Sequence, residues 1–154
     1  MAEFVLLNKG HLRNQFESGN FELDNYLRLY ARQDQKRGAS QTWVLINPDN
    51  PNQIEAYYSL SAHSVVSDQL RFPYQAVPAI LLGRLAVSRS SQGKSYGRIA
   101  VIDAVLRSKK ISTEIGLRFL LVQPINQDVE AFYQKLGFTK LTDSEFWFFD
   151  LNQL

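Results

Sequence analysis

The stretch Ala79-Ile-Leu-Leu-Gly-Arg-Leu-Ala-Val-Ser88, followed by Arg89-Ser-Ser-Gln-Gly-Lys-Ser-Tyr-Gly-Arg98, decides the fold. Its first half is an apolar run broken only by Gly83 and Arg84, which reads as a strand covered on both faces. Its second half is a glycine-bearing loop, and the pattern predicts a helix from about Tyr96 to Lys110 with Ile99, Ile102, Val105 and Leu106 as its apolar face. Residues 116–123, GLRFLLVQ, form another buried-type strand, closed by Pro124. Strand, helix and strand in this order make a βαβ unit, with two parallel strands and a right-handed crossover.

Upstream, residues 2–7 (AEFVLL) read as a first strand, and FESGN (16–20) as a turn ending in a helix cap at Asn20. A helix then runs to about Arg37 and stops at Gly38. Its stripe Leu23, Leu27, Tyr30 and Ala31 has the spacing of a buried face, and Arg28, Arg32 and Lys36 run i, i+4, i+8 on the opposite side. Strands at 41–48 and 53–66 flank the breaker-rich turn PDNPN (48–52) and pair as a hairpin. Residues 67–78 are an irregular segment with Pro73 and Pro78. Downstream, a short helix opens at about Asn126 or Gln127 and ends at Gly137; FTKL and EFWFFDL (145–151) make a terminal hairpin. The fold class is therefore α/β (α+β), a mixed central sheet with helices on its faces, as one domain over residues 1–154.

Composition narrows the chemistry. The 154 residues include no cysteine and two histidines, His11 and His63. That excludes a disulfide framework, a thiolate nucleophile and a Cys- or His-rich metal cage, so no metal is expected. No apolar run approaches the ~18 residues of a membrane span, and the first residues lack the basic start of a secretory signal. A soluble cytoplasmic domain is the simplest expectation. Net charge is +2, but residues 28–110 carry twelve Lys or Arg against five Asp or Glu. A polyanionic ligand on the middle of the chain fits that excess.

The loop at 89–98 joins a strand to a helix N-terminus, where unpaired N–H groups meet the positive end of the helix dipole. Gly93 and Gly97 permit close approach, and Arg89, Lys94 and Arg98 add positive charge. Such a loop suits phosphate, and pyrophosphate best. It has neither the P-loop spacing nor a G-x-G-x-x-G fingerprint, and the same residues also read as an ordinary turn with solvated charges.

Leu85, Val87, Gln92, Gly93 and Gly97 spell L-x-V-x-x-x-x-Q-G-x-x-x-G, which resembles motif A of the GNAT superfamily of acyl-CoA-dependent N-acetyltransferases. Asn126, followed by Ala131-Phe-Tyr-Gln-Lys-Leu-Gly-Phe138, resembles the same superfamily's downstream signature. Ser95 stands where the family's Q-x-x-G-x-G loop usually has glycine. The resemblance implies a GNAT fold whose parallel strands, 79–88 and 116–123, splay to form an acyl-CoA cleft. In it Leu85, Ala86 and Val87 lie along the pantetheine arm of acetyl-CoA. Gln92, Gly93, Lys94, Ser95, Tyr96, Gly97 and Arg98 hold the pyrophosphate, Asn126 belongs to the cofactor site, and Tyr133 sits beside the thioester sulfur. A phenol of pKa ~10 does not give its proton downhill to a thiolate of pKa ~8.5, so Tyr133 is expected to stabilise the developing thiolate by a hydrogen bond. Glu55, Glu130 and His63 are candidate bases by residue type only.

Phe16-Glu-Ser-Gly-Asn20, Tyr30 to Gly38, Tyr57-Tyr-Ser-Leu-Ser-Ala62 and Leu82-Gly-Arg-Leu-Ala-Val87 resemble one branch of that superfamily. Its members are type II toxin–antitoxin toxins that acetylate the α-amino group of aminoacyl-tRNA. The branch implies a ribbon-helix-helix antitoxin as partner, with homodimers frequent, and gives Arg28, Arg32, Lys36 and Arg37 a role in holding tRNA. Alone, those four residues read more readily as a solvated helix face, which a charge run usually is. Two other readings stand beside this one: a GNAT that acetylates a small amine, a peptide N-terminus or a protein lysine, and a non-catalytic binding module that keeps the fold.

Overall fold

The apolar runs form one mixed sheet, with strand order β1-β2-β3-β4-β5-β7-β6 among the described residues. A computed structural model describes residues 3–154. In chain order the main elements are β1 (Phe4–Leu6), α1 (Phe21–Asn25), a π-helical turn (Tyr26–Tyr30), α2 (Ala31–Arg37), β2 (Gln41–Asn47) and β3 (Asn50–Val65). Next come β4 (Val77–Val87), α3 (Tyr96–Ser112), β5 (Phe119–Val122), α4 (Gln127–Lys135), β6 (Thr139–Lys140) and β7 (Trp147–Asp150). The expected α/β (α+β) class and the βαβ unit are both present. The first strand is shorter than 2–7, and Ala2 lies outside the described residues. The chain divides into two compact units. One takes the chain up to Ser61 with Arg84–Ala104, the other Ala62–Gly83 with Val105–Leu154.

In the first unit, β1, β2 and β3 pair antiparallel, with Val5 opposite Val44 and Val44 opposite Tyr57. The alternation of a strand sends Tyr57 and Tyr58 to opposite faces. Tyr57 donates from its hydroxyl to the Leu23 carbonyl of α1 (2.6 Å), while Tyr58 hydrogen-bonds Asp103 of α3. Helices therefore cover both faces. The core on the Tyr57 side gathers Leu7, Phe16, Tyr26, Leu27, Ala31, Val44, Ile54 and Ala86.

Two helix faces differ from their sequence reading. Asn20 caps the first helix as expected, its side chain accepting from Leu23 N–H at 3.1 Å, and Gly38 closes it at φ 74°. Between those ends the π-helical turn inserts an extra residue and shifts the register of the helix faces. It swings Tyr26 into the core and turns Tyr30 out, 52% exposed, so Tyr30 leaves the predicted stripe. In α3 the buried positions are Ala100, Val101, Ala104, Val105 and Ser108, whereas Ile102 and Leu106 are 43% and 59% exposed.

In the second unit, β4 and β5 pair in parallel over Ala79–Leu81 and Phe119–Leu121, and β5 pairs antiparallel with β7, which also carries β6. Val65, Val77, Ala79, Phe119, Leu121 and Leu141 form its core. The segment after β3 is tied to the β6–β7 connection: Ser67 donates to Asp143 (2.8 Å), and Gln69 accepts from Thr142 N–H (2.7 Å). Arg118 and Asp150 form a two-pronged pair at 3.0 and 2.8 Å.

Candidate active site

In the first unit, β4 delivers the chain into the glycine-bearing loop. Ala86 is buried in the core, so strand alternation turns Leu85 and Val87, both half-buried, to the other face. A short turn at Arg89–Ser91 follows, and Ser91 is buried. Gly93 then adopts φ 86° and Ser95 φ 65°. Among the described residues no N–H from Gly93 to Arg98 makes a hydrogen bond to the protein; the next to do so is Ile99, onto the Ser95 carbonyl at 3.1 Å. A Cβ placed on Gly93 meets nothing within 4 Å. Lys94 and Arg98 are exposed beside these groups. The result is an open row of donors at a helix N-terminus with two cations, an arrangement that binds oxyanions.

Ser95, which stands where the family's loop usually has glycine, holds a left-handed backbone at φ 65°, a conformation that costs a non-glycine residue strain.

Two expected cofactor residues, Gln92 and Val87, and the neighbouring Arg89 are engaged with the protein itself. The Gln92 side-chain amide donates to the carbonyls of Ser18 (2.8 Å) and Val87 (3.1 Å). The Val87 carbonyl is thereby occupied. Arg89 donates its backbone N–H to the Glu17 carbonyl (2.8 Å) and lies 3.8 Å from the Glu17 carboxylate. The turn 16–20 is thus a partner of this loop. Sequence reading noticed that turn as part of a resemblance but gave it no role. It is also internally braced, since buried Asp24 accepts from the Ser18 N–H (3.1 Å) and hydroxyl (2.6 Å). Arg84 was likewise missed; its guanidinium stacks 3.6 Å over the Tyr26 ring.

The basic helix residues do not share one exposed face. Arg28 turns inward and donates to the Phe16 carbonyl, and its Nε is buried without a partner among the described residues. The π-helical turn that contains Arg28 breaks the i, i+4, i+8 register. Arg32 is half-buried, and Lys36 and Arg37 are exposed at the end of α2.

In the second unit, Tyr133 lies on α4, is 7% exposed, and packs edge-on against Phe132 and Phe138 at 5.1 and 5.2 Å. Its hydroxyl makes no hydrogen bond to a described residue. Burial pushes the Tyr133 phenol above its ordinary pKa, so it remains a proton donor through the neutral range. Asn126 caps α4, its side chain accepting from Val129 N–H at 2.9 Å, so this oxygen is already used. Among the candidate bases of this unit, Glu130 lies in the first turn of α4 and His63 packs edge-on to Phe146 at 5.2 Å. Among the described residues no three His, Cys, Asp or Glu side chains gather as a cation site, and no helix is long and apolar enough to cross a membrane.

A mixed sheet of this order, with a donor-lined loop between β4 and α3, defines a class of protein. The chain belongs to the acetyltransferase (GNAT) family, which residues 12–138 match. It is 34% identical over 128 residues to the tRNA-acetylating toxin of Mycobacterium tuberculosis, across 80% of this chain and 75% of that one. Its fold is shared with AtaT complexed with acetyl-methionyl-tRNAfMet, at TM-score 0.90 and 24% identity over 99% of this chain and 96% of that chain. It is shared too with a mutant AtaT toxin bound to the C-terminus of the antitoxin AtaR and acetyl-CoA, at TM-score 0.85 and 23% identity over 99% and 94% of the two chains.

Proposed function

We propose that this protein is an acetyl-CoA-dependent N-acetyltransferase that acetylates the α-amino group of aminoacyl-tRNA and so stalls translation as the toxin of a toxin–antitoxin pair. The carrying observation is the row of N–H groups from Gly93 to Arg98 that have no hydrogen-bond partner among the described residues, with exposed Lys94 and Arg98 beside it. In this reading those groups hold the diphosphate, Leu85 and the remaining backbone of Val87 align the pantetheine arm, and both units act as one domain. Acetyl-CoA supplies a thioester-activated acetyl group. Tyr133 holds a proton at Oη and donates a hydrogen bond where negative charge grows on the departing sulfur.

The acceptor needs little help from a base. An α-amino group titrates near ~7.7–8.0, against ~10.4 for lysine, so much of it is neutral at cell pH. Water takes its proton, and a backbone carbonyl can only orient the amine by accepting a hydrogen bond. The aminoacyl-tRNA acceptor is supported by the 34% identity to a tRNA-acetylating toxin, and in this reading Arg32, Lys36 and Arg37 meet phosphates. A ribbon-helix-helix antitoxin, a homodimer and a cytoplasmic location belong to the same proposal. Incubation with labelled acetyl-CoA and charged tRNA tests it: label is expected on the aminoacyl group, and label found only on free amines or lysines overturns it.

A second reading, acetylation of a small amine, a peptide N-terminus or a lysine, is favoured by the inward turn of Arg28, which thins the basic face. The third reading, a non-catalytic module, rests on Ser95 and predicts no acetyl-CoA binding in a calorimetric titration.

A further inference from the structure

A carboxylate buried behind the donor-lined loop has no part in the chemistry above. Glu55, on β3, is 7% exposed, and among the described residues its side-chain hydrogen-bond partners are all neutral. Its Oε1 accepts from Asn47 Nδ2 (2.9 Å) and Gln53 Nε2 (3.2 Å), and its Oε2 accepts from the Ser91 hydroxyl. Its backbone carbonyl takes the Ser88 N–H at 2.8 Å. Ser88 and Ser91 bracket the short turn that leads directly into Gln92 and Gly93. A negative charge held near an anion site weakens that site, so its retention calls for another gain. The gain is acceptor capacity: two carboxylate oxygens satisfy three donors from three chain segments, which a single carbonyl oxygen does not.

We infer that Glu55 is a positioning residue for the acyl donor: through Ser91 it fixes where the loop begins, and so where the N–H groups of Gly93–Arg98 point. This rests on the reading of that loop as the acetyl-CoA site. The same hydrogen bonds take Glu55 out of the list of candidate general bases, since both of its oxygens are engaged in holding the fold.

The test is titration calorimetry with acetyl-CoA on the full chain, paired with steady-state kinetics. Binding by the wild type tests the underlying reading by itself, and its absence removes that reading and this inference together. Given binding, Glu55→Ala and Ser91→Ala are each expected to raise Kd for acetyl-CoA by about tenfold, with kcat and the acceptor KM little moved. Ser91→Ala keeps the carboxylate and its two amide partners, so it serves if Glu55→Ala does not fold. Glu55→Gln is expected to rescue the affinity, because its oxygen keeps Asn47 and Gln53 while its NH2 donates to the Ser91 hydroxyl in a reversed bond. Two results overturn the inference. One is a Kd within twofold of wild type in both truncations. The other is a Glu55→Gln variant that has lost kcat together with the rising acid-side limb of its pH profile, which marks a general base.

Discussion

Replacing Tyr133 by Phe removes one oxygen from a ring that two aromatic neighbours hold in place. The hydroxyl has no hydrogen-bond partner among the described residues, so no intramolecular bond is lost. A typical bond is worth about 0.5–1.5 kcal/mol; here the expected change in stability is near zero, and Tm is expected to move by less than about 2 °C. The loss falls on catalysis. A hydrogen bond to a charged partner is worth about 1.5–3 kcal/mol, which at about 1.4 kcal/mol per decade is a drop in kcat of roughly 10- to 150-fold. KM for acetyl-CoA should stay close to its wild-type value, because the interaction strengthens only as charge develops. Burial raises the phenol pKa, so loss of the Tyr133 proton contributes no falling limb between about pH 7 and 9. Initial rates of thiol release with saturating acceptor, taken beside a thermal melt, read both quantities. A kcat within twofold of wild type refutes the catalytic assignment, and a Tm lowered by more than about 4 °C refutes the claim that the hydroxyl is unpartnered.

Other outcomes follow from the same geometry. Ser95→Gly removes a left-handed penalty of about 1–2 kcal/mol and adds about 0.5–1 kcal/mol of unfolded-state entropy, so a melt is expected to show a rise of roughly 1–3 °C, and calorimetry no loss of acetyl-CoA affinity. Arg32→Ala and Lys36→Ala are each expected to lower the salt slope of tRNA binding by about one. Arg28→Ala should leave that slope unchanged and instead cost about 1.5–3 kcal/mol in urea unfolding, since its guanidinium serves the Phe16 carbonyl. Asp150 has its carboxyl held below the usual range, first by the hydrogen bonds from Arg118. A depressed carboxylate contributes stability above its unfolded pKa and loses it as pH falls through the folded value. Asp150→Asn is therefore expected to cost up to about 1 kcal/mol at pH 7, with the difference from wild type fading below about pH 4 in pH-dependent denaturation.

Local chemistry was legible where it was short-range. Asn20 and Asn126 cap helices because a side-chain oxygen reaches an N–H three residues on, and sequence spacing states that directly. The apolar runs at 79–88 and 116–123 marked the parallel pair for the same reason. The buried face of α3 was misread because hydropathy ranks Ile102 and Leu106 above Ala100, Ala104 and Ser108, whereas the observed packing buries the small residues. Nothing in Tyr26-Leu-Arg-Leu-Tyr30 announces an extra residue per turn. The engagement of Arg28 with Phe16, and of Gln92 with Ser18 across 74 positions, depends on chain segments that only the folded molecule brings together.

The forked contact of Gln92 has a bearing on transplantation. One amide grips a carbonyl from the 16–20 turn and another from the end of β4, so the backbone of one segment helps to place the other. A graft that transplanted the 89–98 loop into a foreign scaffold without its FESGN companion would arrive with a dangling latch. Swaps between homologues should accordingly exchange the two pieces as a matched set.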